Sequence, residues 1–546
     1  MATYIETVHS REAWIGMNEA GKRSSGSRLW TGGVAAIALF AAVLGGCGKS
    51  EPNTGADGAS ASSKQGESGK SGEPMEITWM VRTNTGTLPD NSYAQKYIED
   101  NFNVKLKVTS IGYDDYQQKQ KILLSSGTVP DVFYAASPAD LKKFQSMGIL
   151  AEVPKETIQQ SAPGIFAGIN KYAASSWYIP NANGKNYGLP TYYYSGQFAS
   201  RAVWRTDLLQ KAGIAKIPDT LEELEAAFAA LKKIGVTGMT SKGNSEFAAF
   251  LQIFGAYGIM PTQWMLKDGK VVNGATQPEA KQALTLLADW YKKGYIDPEF
   301  VTGKDTQQKV LDGKVAMFDY VGADTFPSWV DALKKANPSA TLEMAPPPKG
   351  PGGRSTWAWG LTGNSWVFGK QLEKQPEKLK KILQIFDTLQ NDESKYVGMF
   401  WGVKGTHWDY IDPAKGVAGG LKYLPPYTDS NERDKLGLDS SYANLFVQQP
   451  NPAIADKYYD QELLKVQKQG NYPQTGMFGK ADAVPDAGKY WSDLIKLKVE
   501  TYAKIVSGMQ PVSSFDDFVK QWNDLGGTAL EKNANELYQQ LKIDNK

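Results

Sequence analysis

One cysteine and two histidines occur in this chain of 546 residues, and their positions limit its chemistry. Cys47 follows Leu44, Gly45 and Gly46 at the end of an apolar run spanning 30–44. A small-residue pair before a lone cysteine, straight after a hydrophobic segment, is the pattern of a lipidation signal. Segment 1–46 is then the signal peptide, and Cys47 carries lipid at the new N-terminus. The run falls short of the roughly 20 apolar residues a membrane span needs. Lys22, Arg23 and Arg28 supply the positive flank that secretion expects. Residues 1–16 hold Glu6, Arg11 and Glu12 and no apolar run, so a start at Met17 gives a signal of ordinary length. After Cys47, the stretch 47–74 is rich in Gly, Ser, Lys and Glu, cannot bury a core, and reads as a flexible linker.

His9 lies in the segment expected to be removed, which leaves His407 alone in the mature protein. Every histidine-dependent triad would have to use it, and histidine-based zinc sites are effectively excluded. No P-loop, HExxH or G-x-S-x-G motif occurs, and no cofactor is expected. His407 reads as a hydrogen-bonded loop residue rather than a base. A binding protein, not an enzyme, fits best. A lipid-anchored glycosidase stays open, because it needs only two carboxylates; a peptide-binding receptor is a third reading. A net charge of +2 gives no reason to expect nucleic acid.

The surplus is aromatic: 15 Trp, 27 Tyr and 20 Phe. Rings cover the C–H faces of sugars, while Asp, Asn, Arg and Lys satisfy hydroxyls. Tyr192, Tyr193, Trp204, Trp264, Trp357, Trp359 and Trp401 are the candidate ligand contacts, although core packing is the common fate of any one ring. Trp357 and Trp359 are favoured, being two apart on a Gly- and Ser-flanked segment that returns between lobes. Tyr320 and Asp324 follow an apolar strand and are candidates as well. Arg82, at the end of the first strand, is a candidate partner for an anionic sugar.

These residues must be positioned by an α/β scaffold. Ile77 to Val81 reads as a buried strand, 93–101 as a helix, 104–108 as a strand, 113–124 as a helix and 127–134 as a turn followed by a strand. That alternation is the signature of a parallel sheet, whose ligands bind at the carboxyl ends of strands. Arg82 to Gly86 and Ala135 to Ser137 then border the cleft. Thr220 and Glu223 form a capping box before a helix with Leu221, Leu224, Phe228 and Leu231 on one face. A second amphipathic helix covers 278–293 and a third 375–389. Helices are also expected near 456–468, 489–508 and 515–525.

Several segments in this order resemble the extracellular solute-binding proteins of the maltose-binding type, which serve ABC importers. Ser126-Gly127-Thr128-Val129-Pro130-Asp131-Val132 is similar to an SG-x-x-PDV step. Gly184-Lys185-Asn186-Tyr187-Gly188-Leu189-Pro190 is similar to a GK-x-YG-hydrophobic-P segment, and Pro218-Asp219-Thr220-Leu221-Glu222-Glu223-Leu224 to P-x-T-L-x-E-L. Gly294 to Glu299 and Gly313 to Met317 fit too. Val512 to Val519, with Trp522 and the Gly526-Gly527 pair, resembles the large members, which include alginate-oligosaccharide binders. Gly402 to His407 resembles their G-x-E-G-x-H/Y segment, with Lys404 in place of the acid. The resemblance implies a two-lobed, type II periplasmic-binding-protein-like α/β fold that hinges shut on an oligosaccharide and presents it to a permease. It implies a monomer held at the outer face of the membrane by its lipid. The lobes are expected at 75–195 with 355–425 and at 196–354 with 426–546. Some members carry a calcium loop where this chain has Asn181-Ala182-Asn183-Gly184-Lys185-Asn186; every acid is missing here, so no metal is expected.

Overall fold

The computed structural model describes residues 72–83, 85–113, 115–322, 326–438, 451–458 and 461–541. Cys47, the signal and most of the linker lie outside the described residues, as does Asp324. The compact body begins at Pro74. Among the described residues no helix is long and apolar enough to cross a membrane.

Two lobes make up the body, each built on its own sheet. The first sheet has the strand order Val104–Gly112, Met75–Thr83, Val132–Ala135, Thr362–Phe368, Leu189–Tyr192. Its first three strands run parallel, with Trp79 aligned to both Val108 and Val132, and Thr362–Phe368 returns antiparallel. Alternation along Met75–Thr83 sends Ile77, Trp79 and Val81 into one core and Met80 into another on the opposite face. A strand covered on both faces must be apolar throughout, which is why 77–81 is a near-continuous apolar run. Trp79, Tyr134, Trp366 and Phe386 pack together in the larger core, with Trp79 and Trp366 centroids 5.8 Å apart and edge to face.

The second sheet has the order Leu342–Ala345, Arg201–Arg205, Val315–Val321, Thr237–Thr240. Trp204 faces the helix Leu221–Lys233, where its ring stacks on Phe228 at 6.0 Å, and Trp290 meets Phe228 edge-on at 5.2 Å. The expected capping box forms with one difference. Thr220 Oγ1 accepts from Glu223 N at 3.2 Å, but the Glu223 carboxylate reaches past the cap to Asp219 N at 2.7 Å. The helices Ala487–Val506, Ser514–Trp522 and Thr528–Leu541 pack on this lobe. The last of these lies beyond the helices expected from the sequence, and at the Gly526-Gly527 pair only one bent turn separates it from the helix before.

The chain crosses between the sheets at 193–200, at 346–361 and between 438 and 478, and the crossings are bonded side by side. Ser200 N donates to Trp357 O at 3.2 Å, Gly360 N to Gly196 O at 2.9 Å, and Ala358 N to Gln474 O at 3.0 Å. A Cβ at Gly196 would sit 2.1 Å from Gly360 O, so this close approach requires glycine. The boundary expected at 425 falls within a group that packs beside the first sheet: Thr85 Oγ1 donates to Asp434 Oδ2 at 2.6 Å, and Ala94 N to Leu436 O at 2.9 Å.

Candidate functional site

The carboxyl end of the strand Met75–Thr83 and the turn after Val132–Ala135 open onto a cleft enclosing about 290 Å³. Arg82, Tyr134, Ala136 and Ser137 form part of one wall, as strand-end logic requires. Glu246, Phe247, Gln263 and Trp264 come from the second lobe. The crossing at 346–361 and the segment 476–482 complete it with Trp357, Trp359, Lys480 and Asp482.

An aromatic group stands at the junction. Trp357 and Trp359 meet with centroids 4.4 Å apart, Phe247 lies 5.3 Å from Trp357 and 5.2 Å from Trp359, and Tyr320 lies 6.1 Å from Trp357. Trp357 is buried and acts as the packing centre, whereas Trp359 is partly exposed. Lys480 Nζ lies 4.7 Å over the Trp359 ring, and Arg82 Cζ lies 4.4 Å over the Tyr113 ring. Trp264 lines the cleft but is fully enclosed; its Nε1 donates to Ala481 O at 2.9 Å and so holds the 476–482 segment in place.

Burial governs the electrostatics. It pushes the Glu246 carboxyl upward, opposed chiefly by the nearby Lys498 ammonium, and pushes Lys498 downward in turn. Lys498 Nζ also donates to Glu246 O at 3.3 Å. Asp482 is raised by burial, with Lys480 working against the shift.

The structure therefore brings Arg82, Trp264, Trp357 and Trp359 to the cleft, with Tyr320 packed behind. It does not bring the other described candidates. Tyr192 is sealed in the first lobe's core against Tyr172, because all residues of its short strand are buried. Trp204 is enclosed by Phe228 for the same reason. Trp401 is 1% exposed and stacks on Tyr423 at 4.8 Å, in an aromatic cluster of the 396–458 region. Tyr193 sits on the first crossing, its backbone N donating to Leu361 O at 2.6 Å, and does not line the cleft. His407 is a buried loop residue whose Nδ1 accepts from Val403 N at 2.9 Å. Sequence reasoning missed Phe247, Gln263, Glu246 and Lys480, which reach the cleft only through long-range folding.

Where calcium-loop residues would stand, Asn181–Ala182 and Lys185–Asn186 pair as a tight hairpin with Asn183 and Gly184 at positive φ. Asn186 Nδ2 donates to Val153 O and Gly188 O at 2.8 and 2.7 Å.

Residues 92–375 match the model of the bacterial extracellular solute-binding protein family. Over 535 residues the chain is 24% identical to the polygalacturonan/rhamnogalacturonan-binding protein YtcQ of Bacillus subtilis (strain 168), covering 93% of this chain and 98% of that protein. Lipoprotein LipO of the same strain is similar to the same extent, at 24% identity over 93% of this chain and 98% of its own length. An extracellular solute-binding protein from Bifidobacterium longum subsp. infantis has the same fold, with a TM-score of 0.66 at 16% identity over 87% of this chain and 100% of that one. An alginate-binding protein crystallised without calcium ion gives a TM-score of 0.60 at 18% identity, over 86% of this chain and 98% of that one. With the family model spanning more than half of a chain whose two sheets border an aromatic cleft, the chain belongs to the bacterial extracellular solute-binding proteins.

Proposed function

We propose that this protein is the lipid-anchored receptor of an ABC importer, capturing an oligosaccharide between its lobes and delivering it to the permease without chemical change. The observation that carries the reading is the aromatic group of Phe247, Trp357 and Trp359 set beside polar side chains in the cleft. Rings of this kind cover sugar C–H faces, while the polar groups fix orientation. The printed functions of the similar proteins, polygalacturonan/rhamnogalacturonan binding and alginate binding, support a carbohydrate ligand. Cys47 carries the lipid, in line with the similarity to a lipoprotein. Capture proceeds by hinge closure about the three laced crossings, and the ligand drives it only through its higher affinity for the closed form.

Thermal-shift and tryptophan-fluorescence titrations with oligosaccharides, monosaccharides and peptides test the reading. Saturable binding of an oligosaccharide with no release of reducing ends is the expected result. Peptide binding without sugar binding would replace the ligand class, and cleavage of the sugar would make the protein a glycosidase. Metabolic labelling with a palmitate analogue, lost in Cys47→Ala, tests the anchor.

A further inference from the structure

Phe247 reaches the aromatic group of the cleft from a segment whose ends are stitched to the second lobe. Ser241 Oγ donates to Ala248 O and accepts from Phe250 N, both at 2.9 Å. Gly243 N donates to Phe300 O at 2.8 Å, and Asn244 Nδ2 to Thr302 O at 2.9 Å. The tip of the segment, Glu246 and Phe247, is held from elsewhere. One face of the helix Ala487–Val506 presents Trp491 and, two turns on, Lys498. The Trp491 side chain bonds to the Glu246 carboxyl, and Lys498 Nζ donates to Glu246 O at 3.3 Å. That carbonyl belongs to the peptide plane that carries Phe247 N, which donates to Ser245 Oγ at 3.2 Å. A peptide unit is rigid, so holding its oxygen and its nitrogen fixes the direction in which the next side chain leaves the backbone.

Stability does not account for this lysine. It is 4% exposed, and among the described residues its ammonium closes no ion pair; its hydrogen bond goes to a main-chain oxygen. A buried charge of this kind is costly, and an apolar side chain of similar length would avoid the cost. An apolar side chain could not donate to Glu246 O. We propose that Lys498 is a positioning residue for ligand binding: through Glu246 O it sets the Phe247 ring against Trp357 and Trp359, and loss of its proton loosens that ring. The proposal rests on the reading of the cleft as a sugar site. The charged groups around the ammonium are Glu246 at the tip and, beyond it, Asp482 of the 476–482 segment, which has Lys480 and Asp140 as its own charged neighbours. Burial holds Lys498 below the ordinary lysine range, and Glu246 works against that shift.

The first test needs no ligand. Phe247 is replaced by 4-fluorophenylalanine in the full chain, and its fluorine resonance is followed from about pH 7 to about pH 10. The resonance should move with pH when Lys498 is present and stay near its high-pH position throughout in Lys498→Met. In Glu246→Gln it should move at lower pH, because removing the acid makes the lysine easier to deprotonate. A resonance in Lys498→Met that follows the unsubstituted protein at every pH overturns the proposal. If that variant does not fold, as read from its thermal midpoint, the Glu246→Gln titration decides: an unmoved or higher midpoint overturns the proposal. Calorimetric titration with tetragalacturonate and with maltotetraose is the second test. For a sugar that binds, Lys498→Met should weaken affinity by about tenfold with Phe247 present and by about twofold or less in the Phe247→Ala background, since residues acting through one another are not additive. Equal losses in the two backgrounds would make Lys498 a structural residue and overturn the proposal. Binding of neither sugar counts against the carbohydrate reading alone, because the fluorine resonance still decides the part played by Lys498.

Discussion

The core of the second lobe and the wall of the cleft are both aromatic, but their rings have different surroundings. Around Trp204, apolar neighbours fill every side: the ring is 2% exposed, stacks on Phe228 and belongs to the lobe's large hydrophobic cluster. Around Trp359, one side is packed by Phe247 and Trp357, a lysine ammonium lies over the ring, and the remaining side is partly exposed in the cleft. The first environment is complete within the chain and contributes stability. The second stays open on its cleft side, as the proposed ligand contact requires. The strand Val315–Val321 joins the two in adjacent residues: Asp319 is fully buried inside the lobe, while Tyr320 packs against Trp357.

Trp204→Ala should test the contrast most severely. Removing a fully packed indole should cost about 3–5 kcal/mol in chemical denaturation, while the protein that remains folded keeps its ligand affinity. A small stability loss there would mean that the core tolerates the cavity and that the distinction is weaker than drawn.

Asp319 gives the next effect, and it is pH-dependent. Burial raises its carboxyl to about 7, and neither of its carboxylate oxygens has a hydrogen-bond partner among the described residues. The folded protein then holds a proton that the unfolded chain releases above about pH 4, so stability should fall as pH rises through that window, by up to a few kcal/mol at about 1.4 kcal/mol per unit. Asp319→Asn should flatten the fall, as read from unfolding midpoints between pH 4 and 8. An identical pH profile in the variant would show that Asp319 is ionised at neutral pH.

Trp359→Ala should behave in the opposite way to Trp204→Ala. Stability should change by about 1 kcal/mol or less, and sugar affinity should drop by about tenfold, which is 1.4 kcal/mol. Unaltered affinity would confine Trp359 to a structural role. The smallest effect is expected from calcium. The 179–188 segment offers no carboxylate, and its Asn186 amide is already committed to Val153 O and Gly188 O, so adding calcium or a chelator should leave the thermal midpoint unmoved. A calcium-dependent rise would locate a site that this segment does not explain.

Legibility in the sequence followed the range of the forces involved. The helix Leu221–Lys233 was readable because its cap, its apolar stripe and its terminal glycine lie within fifteen residues of each other, and the local interactions that form it are the ones the sequence displays. Arg82 and the 136–137 turn were readable because a parallel sheet sends its strand ends to the ligand side. Trp204, Tyr192 and Trp401 were misread as ligand contacts because a tryptophan or tyrosine suits a core as well as a cleft, and only its neighbours decide.

By itself, then, the sequence determined which histidine- and cysteine-based motifs it lacks, the lipidation pattern at Cys47, the alternation of strands and helices, and the family. Each is carried by residue type and short spacing. Tertiary structure alone decided which rings face the cleft, that Lys480 lies over Trp359, and that Gln263, Asn364 and Glu246 gather on its walls. Those residues are far apart in the chain and come together only where three crossings hydrogen-bond side by side, so no local pattern encodes their meeting.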